Sequence, residues 1–293
     1  MIYHQPVLLD EVISTFNPKP SDIFIDATAG HGGHSLALLK HQSIVHCLDA
    51  DQQNIKILSQ RFTKQNISPS LYRLHHTNFS SIFQIYHDFI YPKPVKGILF
   101  DLGLNSLQLN PDSHQGFSFH DPSSLDMRLD PTKQTLTASD IINQYPPQKL
   151  ADLFSRYSQE RLAKPLASQI ARRRQQKPFT TSLELSEFIS QISPQRPNQR
   201  LHPATKVFLA LRIEVNQELT ILSQTLSQLP DFPRPLIVCL ISFHSGEDRI
   251  VKQFVRQHRF PPVSKPQPIV PQAAEISQNP LSRSAKLRSF IIT

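Results

Sequence analysis

A cluster of three glycines gives the first indication of chemistry in this sequence. Gly30, Gly32 and Gly33 fall within four residues of "DATAGHGGHS", although the whole chain contains only seven glycines. The cluster follows an apolar run and precedes a segment with helical spacing, which is where an α/β sheet lets a nucleotide approach its backbone. Asp49 ends the next apolar run, where a carboxylate can accept hydrogen bonds from both hydroxyls of a ribose. Together these residues predict a site for a cofactor that contains adenosine.

Two alternatives for the same stretch fit less well. The third glycine of the dinucleotide pattern G-x-G-x-x-G would fall on Ser35, so the spacing does not favour a nicotinamide dinucleotide. His31 and His34 could bind a metal ion together, but no third ligand lies nearby in the sequence and no Cys-x-x-Cys accompanies them. We therefore expect no metal site, and we expect His34 to lie against the cofactor or to cap the helix that follows.

Two later apolar runs also end in polar side chains. Asp101 ends "GILFD", and its carboxylate can accept a hydrogen bond from an amine or cap the turn that follows. His244 lies in the polar segment "SFHSGEDRIVK", where Asp248 and Arg249 taken singly could be a helix N-terminal acid and a surface cation. No G-x-S-x-G elbow is present, which excludes a serine hydrolase of that kind.

These residues follow apolar runs that a parallel sheet would bring to one edge. Segments with helical spacing join the runs, and near-continuous apolar strands are typical of a sheet covered by helices on both faces. The runs occur in "DIFIDATAG", "SIVHCLDAD", "PVKGILFDLG" and "RPLIVCLISFHSGEDR". The pattern predicts an α/β fold with a doubly wound sheet, in which ligands bind at the carboxyl ends of the strands.

The α/β pattern is interrupted from about residue 105. Turn formers without a strand period come first, and two helical stretches follow. Pro165 must kink or split the first stretch, whereas residues 204–229 form the cleanest helical pattern in the chain, with apolar residues at steps of three and four. We predict a discontinuous core of residues 1–105 and 216–293, with an inserted helical domain, 106–215, for substrate recognition.

Basic residues are concentrated in two segments. The formal net charge is +8, and Lys and Arg outnumber Asp and Glu by six over residues 150–215 and by seven over 249–293. Such segments are typical of contacts with nucleic-acid phosphates, although either run alone is more often a solvated surface. The candidate RNA contacts are Arg172, Arg173, Arg174, Lys177, Arg283, Lys286 and Arg288.

The composition also indicates where the protein works. No apolar run approaches the ~20 residues that a helix needs to cross a bilayer, and the first residues lack the basic leader of a signal peptide. Cys47 and Cys239 lie far apart in apolar runs and predict buried thiols in a reducing compartment. We expect a cytoplasmic protein without a membrane segment.

Several longer stretches together match one family. They are "HQPVLLDEVI" at 4–13, "DATAGHGGHS" at 26–35, "DLGLNSLQLN" at 101–110, "GFSFHDPSSLDMRLDP" at 116–131, "HPATKVFLALRIEVNQEL" at 202–219, "ISFHSGEDRIVK" at 241–252 and "NPLSRSAKLR" at 279–288. On these motifs, the chain resembles the ribosomal RNA small subunit methyltransferase H family over nearly its whole length. The resemblance implies a class I S-adenosylmethionine-dependent methyltransferase, a Rossmann-like doubly wound sheet with an inserted all-helical domain. It also implies methylation of the exocyclic N4 amine of a decoding-centre cytidine of 16S ribosomal RNA in the small subunit, cytidine 1402 in the usual numbering.

The resemblance also implies roles for individual residues. With S-adenosyl-L-methionine as the cofactor, the implied cofactor contacts are Gly32, Gly33, His34, Asp49, Phe79, Asp101 and Gln108. Methyl transfer to an amine is an in-line displacement, so positioning is the enzyme's main task. Our hypothesis is that Asp101 accepts a hydrogen from the target amine, with Asn105 and His244 as further candidate catalytic residues.

The chain departs from the family pattern at a few positions. The family usually has serine where Asn105 stands, aspartate at Asn110, leucine at Gly246, and an arginine–alanine pair at Leu281 and Ser282. The departures at 105 and 110 lie near the expected base pocket and put rate or substrate fit in question. The last departure removes one cation from an expected RNA contact, and none removes a matched cofactor position.

Other functions stay open on the sequence alone. An NAD-dependent oxidoreductase would share the core, and a non-catalytic RNA-binding or ribosome-assembly factor would keep the basic segments without needing Gly32, Gly33 and Asp49 together. An amino-methyltransferase acting on another RNA or DNA base would share every cofactor residue. Binding of S-adenosylmethionine, of NAD or of neither separates a methyltransferase from the first two alternatives.

Overall fold

The predicted strand ends meet along one edge of a sheet. The computed structural model describes residues 5–113, 115–194, 201–264 and 268–293. The strands of that part are β1 (Ile23–Asp26), β2 (Ile44–Asp49), β3 (Tyr72–His76), β4 (Gly97–Asp101), β5 (Leu236–Ser242) and β6 (Lys286–Ile292). They lie in the order β3-β2-β1-β4-β5-β6, with the first five parallel and β6 antiparallel to β5. Because the chain runs outward to β3 and then returns to the other side of β1, the topological switch point lies between β1 and β4.

Helices connect the strands and make up the inserted segment. In chain order they are α1 (Leu9–Phe16), α2 (Gly33–Leu39), α3 (Gln52–Lys64), α4 (Ile82–Phe89), α5 (Ala138–Gln144), α6 (Pro147–Ser158), α7 (Ala163–Arg174), α8 (Ser182–Ile192), α9 (Thr205–Asn216), α10 (Glu218–Gln228), α11 (Ser245–His258) and α12 (Ala273–Gln278). Among the described residues, none of these helices is both long enough and apolar enough to cross a membrane.

The chain divides into two units, one made of two separate segments of the sequence and the other of a single segment. Residues 1–103 and 219–293 form one unit, here called the core unit, which contains the whole sheet. Residues 104–218 form the other, here called the inserted unit. The insertion therefore separates β4 from β5 along the chain, although the two strands are paired neighbours. The substrate-recognition role predicted for the insertion stays a prediction.

The sheet is buried on both faces, which explains why its central strands are apolar throughout. All four residues of β1 are buried. Ile25 packs in a cluster with Val251 of α11, whereas its neighbour Phe24 packs in a separate cluster with Leu58 of α3. Because adjacent residues of a strand point to opposite faces, α11 and α3 cover opposite faces of the sheet.

The inserted unit has an apolar core of its own. Residues of α5 to α9 supply it, among them Ile141, Phe154 and Leu211, which are fully buried. The turn-rich segment before these helices is fixed by a buried carboxylate, because Asp121 accepts hydrogen bonds from the N–H groups of Gly116 and Ser123 at 2.8 and 2.9 Å. These bonds explain how a segment without strand or helical periodicity keeps one conformation.

The single helix predicted over residues 204–229 is wrong. The structure has two helices, α9 and α10, separated at Gln217, whose φ of 51° lies in the left-handed region. The apolar spacing continues through the break, with Val215 followed four residues later by Leu219. The periodicity of side chains therefore gives no sign that the helix is interrupted there.

The split expected near Pro165 occurs, but Pro165 does not cause it. Helix α6 ends at Ser158, where Gln159 adopts a left-handed conformation with φ of 52°. Pro165 lies in the first turn of α7, where backbone N–H groups have no partner within the helix. The proline is therefore accommodated at a helix start.

Two strands, β3 and β6, are not evident from the sequence. Strand β3 reads "YRLHH" and has no fully buried residue, so it lacks a long apolar run. Strand β6 starts with cations, and its buried residues include Leu287, Ser289 and Phe290. Polar residues on both strands hide the pattern that identifies the four central strands.

Candidate active site

The glycine-rich turn connects β1 to α2. Gly30 and Gly32 have φ angles of 51° and 76°, which glycine adopts without strain. A Cβ atom on Gly32 would lie 2.2 Å from Leu58 Cδ1, and one on Gly33 would lie 2.8 Å from Pro6 Cγ, so both glycines let the turn pack against its neighbours. A Cβ atom on Gly30 would meet no atom closer than 4.0 Å. Open space at Gly30 leaves its backbone accessible to a ligand.

Asp49 ends β2 and is hydrogen-bonded to the glycine-rich turn. Its Oδ2 accepts from Gly30 N at 2.8 Å, and its Oδ1 accepts from Asp51 N at 2.8 Å and from Asn54 Nδ2 at 3.1 Å. Desolvation outweighs these bonds and raises the pKa of Asp49 to about 6. A carboxylate has about four acceptor positions, so about one remains for a hydroxyl group of a ligand.

His34 and Asp101 form a pair beside the same turn. His34 Nε2 donates to Val7 O at 3.0 Å, so in the neutral ring Nδ1 is an acceptor. Nδ1 lies 3.6 Å from Asp101 Oδ2. Desolvation, together with the charges of Asp26 and Glu247, raises the pKa of Asp101 well above its ordinary value. The geometry therefore allows a proton to be held at either the carboxyl or the imidazole group.

The second oxygen of Asp101 is a buried acceptor. Asp101 Oδ1 has no hydrogen-bond partner among the residues that the structure describes. The backbone N–H of Asp101 donates to Thr28 Oγ1 at 2.6 Å, which holds the residue in place. A buried polar atom without a partner costs about 1–3 kcal/mol. A ligand that brought an N–H group to Oδ1 would recover this free energy.

Asp26 is a residue of this site that the sequence analysis missed. It is 1% exposed, and its Oδ2 accepts from Ser35 Oγ at 2.5 Å, while Cys47 Sγ donates to Ser35 Oγ at 3.3 Å. Burial raises the pKa of Asp26 to about 6. Asp26 ends the first apolar run just as Asp49 and Asp101 end theirs, and that repetition was the signal that could have identified it.

The remaining expected cofactor contacts lie in different units. Phe79 follows β3 in the core unit, and its ring stands nearly perpendicular to that of Phe100, with the centroids 5.8 Å apart. Gln108 lies in the inserted unit with Asn105. Asn105 Oδ1 accepts from Gln108 N at 3.0 Å, and Gln108 Oε1 accepts from Asn105 N at 3.1 Å. The two side chains thus stabilise one turn, and their cofactor and catalytic roles stay predictions.

His244 caps the start of α11. Its Nδ1 accepts from Gly246 N at 3.1 Å, and its Nε2 lies 3.2 Å from Glu247 Oε1. Glu247 Oε2 accepts from Phe243 N at 2.8 Å, which ties the end of β5 to the helix. A Cβ atom added to Gly246 would lie 3.0 Å from the His244 ring, so the family's leucine would need this ring to shift. A catalytic role for His244 stays a prediction.

Arg174 makes contacts inside the inserted unit. Its guanidinium donates to Ile142 O and to Tyr145 O, the latter at 2.7 Å, at the C-terminal end of α5. Desolvation lowers its pKa. Of the four basic residues predicted here as RNA contacts, this one also has a structural role.

The other three basic residues predicted as RNA contacts in the inserted unit have different surroundings. Lys177 Nζ lies 2.6 Å from Glu184 Oε1, and the Arg173 guanidinium lies 4.7 Å from the ring centroid of Phe179. Arg172 is exposed on α7. An RNA role for these residues stays a prediction.

The predicted RNA contacts of the C-terminal segment are partly neutralised. Asp248 Oδ1 accepts from Arg288 Nε at 2.7 Å, and Asp248 Oδ2 lies 3.6 Å from Lys286 Nζ. The two cations hold the pKa of Asp248 below its usual range, although desolvation opposes them. Arg283 is exposed, and Leu281 beside it is 44% exposed. One acid thus offsets part of the charge that the sequence counts as basic.

Known proteins match this chain over its whole length. The model of a family described as the MraW methylase family matches residues 1–292. The chain belongs to the MraW methylase family. A ribosomal RNA small subunit methyltransferase H of Caldicellulosiruptor saccharolyticus is 39% identical to this methylase over 310 residues, with 98% of each chain covered. A protein of the same name from Synechococcus sp. (strain JA-2-3B'a(2-13)) is 40% identical over 292 residues, which cover 97% of this methylase and 90% of that protein. Among solved structures, an rRNA methylase of Streptococcus thermophilus shares 12% identity and a TM-score of 0.41, with 99% of this chain and 98% of that one covered.

Family membership confirms three expectations from the sequence. They are the resemblance itself, the class I methyltransferase fold, and the assignment of this methylase as an enzyme rather than a non-catalytic factor. The alternative of an NAD-dependent oxidoreductase is wrong. Of the motifs that carried the resemblance, only His4 lies outside the described residues.

Proposed function

We propose that this methylase transfers the methyl group of S-adenosylmethionine to the exocyclic N4 amine of a decoding-centre cytidine of 16S ribosomal RNA, acting on small ribosomal subunits in the cytoplasm. Relatives about 40% identical are named as methyltransferases of small-subunit ribosomal RNA, which supports the RNA substrate. The choice of nucleotide rests on the family motifs of the sequence. The observation that carries the chemistry is Asp101 Oδ1, a buried acceptor without a donor among the described residues.

The core unit offers a row of groups that fit S-adenosylmethionine. Neighbouring strands lie about 4.8 Å apart, so the ends of β3, β2, β1 and β4 extend over about 14 Å. Along this row, Phe79 offers a ring for an adenine, Asp49 an acceptor for a ribose hydroxyl, and Gly30 an open stretch of backbone. When bound, the cofactor supplies an electrophilic methyl group on its sulfonium sulfur.

Asp101 is suited to activate a weak nucleophile. The lone pair of the cytosine amine is delocalised into the ring, and the amine attacks only when its nitrogen becomes tetrahedral. A hydrogen bond from this amine to Asp101 Oδ1 favours the tetrahedral form, in which the lone pair is available for attack. The carboxylate also stabilises the positive charge that develops on the nitrogen. A raised pKa makes the ionised Asp101 a stronger base than an ordinary carboxylate.

His34 gives the released proton a second position. The methylated amine is cationic and loses one proton, which the ionised Asp101 accepts. His34 Nδ1 lies 3.6 Å from Asp101 Oδ2 and can take the proton next, because Nε2 already donates to Val7 O. The rate should therefore rise with pH through the raised pKa of Asp101, and this limb should lie above the range of an ordinary carboxylate.

The proposal is tested by methyl transfer to small ribosomal subunits that lack the modification. Labelled S-adenosylmethionine and mass mapping of RNA fragments should locate one methyl group on the exocyclic amine of the decoding-centre cytidine. Asp101→Asn keeps the shape of the side chain but removes the base, so we expect transfer to fall by about 10²- to 10⁴-fold. Calorimetry should show unchanged binding of S-adenosylmethionine. Asp88→Asn removes an exposed carboxylate of α4 and should behave like the unaltered protein.

Each other outcome corrects a different part of the proposal. A methyl group on another base would keep the chemistry and replace the substrate. Joint loss of cofactor binding and transfer in Asp101→Asn would place Asp101 with the cofactor and remove it as the acceptor. Full transfer by Asp101→Asn would refute the role of this carboxylate.

A further inference from the structure

Helix α11 carries a row of cations on its solvent side. The row, here called the α11 row, consists of Arg249, Lys252 and Arg256 on the helix and of Arg259 directly after it, and all four are exposed. The spacing of three and four residues places Arg249, Lys252 and Arg256 within about 60° around the helix axis. Val251 and Phe254, on the opposite side, are buried in the core cluster. The two acidic residues of α11 form no ion pair with the row, because Glu247 is buried and Asp248 is paired with Arg288 and Lys286.

The charges of the α11 row are not neutralised by the protein. None of the four side chains forms an ion pair within the described ranges. Lys286 and Arg288, which the sequence singled out, both pair with Asp248 instead. Among the described residues of 249–293, the four cations of the α11 row are therefore unpaired, whereas both cations of β6 are paired.

The row leads away from the candidate active site. Helix α11 starts three residues after β5, at the edge where β4 ends with Asp101. A helix rises about 1.5 Å per residue, so the helical part of the row, from Arg249 to Arg256, extends over about 10 Å. A chain bound along it would therefore reach the edge that holds Asp101.

We propose that the α11 row binds the phosphate backbone of the ribosomal RNA substrate, as a contact surface on the core unit. This inference rests on the proposed function, which supplies an RNA substrate. Four cations without an ion-pair partner among the described residues, three of them aligned on one side of a helix, are complementary to a line of phosphates. Guanidinium groups form paired hydrogen bonds with phosphate oxygens, and three of the four cations are arginines.

An exposed aromatic ring lies at the C-terminal end of α11, on the side of the helix that carries Phe254. The imidazole ring of His258 is exposed and lies parallel to the ring of Phe260, with a centroid distance of 5.1 Å and an interplanar angle of 7°. Phe260 stacks in turn on Phe290 with an interplanar angle of 6°. An exposed ring at the end of the helix can stack with an unpaired base of an RNA whose phosphates lie along the row.

The test compares two variants that lose the same charge on opposite faces of the sheet. One carries Lys252→Gln and Arg256→Gln, and its control carries Lys56→Gln and Lys64→Gln on α3, where both lysines are exposed. The full-length proteins are titrated with a fluorescent transcript of the 16S decoding region at several salt concentrations. The α11 variant should bind about tenfold more weakly or worse at 0.1 M salt, and its slope of log K against log salt should be shallower by about 1.5. The α3 variant should match the unaltered protein.

Further readouts separate this inference from the proposed function. On small subunits, the α11 variant should raise KM and leave kcat unchanged, with normal binding of S-adenosylmethionine. Equal salt slopes in all three proteins would overturn the proposal, whatever the methylation result. If the salt slope is shallower in the α11 variant alone but the unaltered protein transfers no methyl group to small subunits, the result would support RNA binding by the α11 row and refute the proposed function. His258→Ala should lower affinity by the same factor at every salt concentration, and an unchanged affinity would exclude the ring from the surface.

Discussion

Replacing Asp26 with asparagine should stabilise this methylase at neutral pH. Burial raises the pKa of Asp26 from 3.8 to about 6, so the ionised form costs up to about 3 kcal/mol of folding free energy at pH 7.5. The cost is absent below pH 3.8, grows as the pH rises to about 6, and is about 1.6 kcal/mol at pH 5. Asparagine removes the charge and can keep both contacts, because Oδ1 can accept from Thr28 N while Nδ2 donates to Ser35 Oγ.

Urea unfolding at pH 7.5 and pH 5.0 measures this difference. The chain has no tryptophan, so far-ultraviolet circular dichroism is the appropriate signal. Asp26→Asn should raise the free energy of unfolding at both pH values, with a gain larger by about 1.4 kcal/mol at pH 7.5. Asp88→Asn, which removes an exposed carboxylate, should change it by less than about 0.5 kcal/mol. A variant that is no more stable at pH 7.5, or whose gain is the same at both pH values, would refute the reasoning.

The same substitution should also alter the reaction. The charge of Asp26 is one cause of the raised pKa of Asp101, after desolvation. Without that charge, the acid limb of the rate profile should move to lower pH, and Asp101 should be a weaker base at neutral pH. A stabilised but slower enzyme would mean that the ionised Asp26 is kept for activity at a cost in stability.

Two further predictions concern residues outside the candidate active site. His46 Nδ1 lies 3.2 Å from His75 Nε2, and burial lowers the pKa of both to about 4, so the stability that depends on the neutral rings is present above pH 6.5 and is lost as the pH falls toward 4. His46→Phe lacks this titration. In urea unfolding, its free energy of unfolding relative to that of the unaltered protein should therefore be about 2 kcal/mol higher at pH 5.0 than at pH 7.5. A difference that is the same at both pH values would contradict this. Arg174→Gln should lower the free energy of unfolding by about 2 kcal/mol, because it removes hydrogen bonds to two backbone carbonyl groups. Arg172→Gln, at an exposed position, should change it by less than about 0.5 kcal/mol. Equal effects of the two substitutions would show that the contacts of Arg174 do not stabilise the fold.

The positions of the site residues were predictable because a parallel sheet brings the carboxyl ends of its strands to one edge. Asp49, Asp101 and His244 each follow an apolar run, and the structure has them at that edge. Their partners were not predictable, since Asp49 bonding to Gly30 and His34 facing Asp101 depend on rotamers and on a turn of particular shape. A sequence specifies which residues end a strand more directly than it specifies which atoms meet.

Surface charge was less predictable than strand ends. Counting basic residues identified Arg174 and Arg288, yet both have partners within the protein. The α11 row was missed because its members are separated by three or four residues and look sparse along the chain. Only the helix brings Lys252 and Arg256 to one side, and only the fold shows that the opposite side is buried.

The separation of β4 from β5 along the chain has a consequence for biosynthesis. At about 5–20 residues per second, a ribosome needs on the order of ten seconds to make the segment between Asp101 and Leu236. During this interval the nascent chain has an apolar β4 whose outer backbone groups still await β5. The inserted unit, with its own apolar core, can fold first. The enzyme that we propose modifies ribosomes would thus complete the sheet edge that holds Asp101 only after a ribosome has synthesised β5.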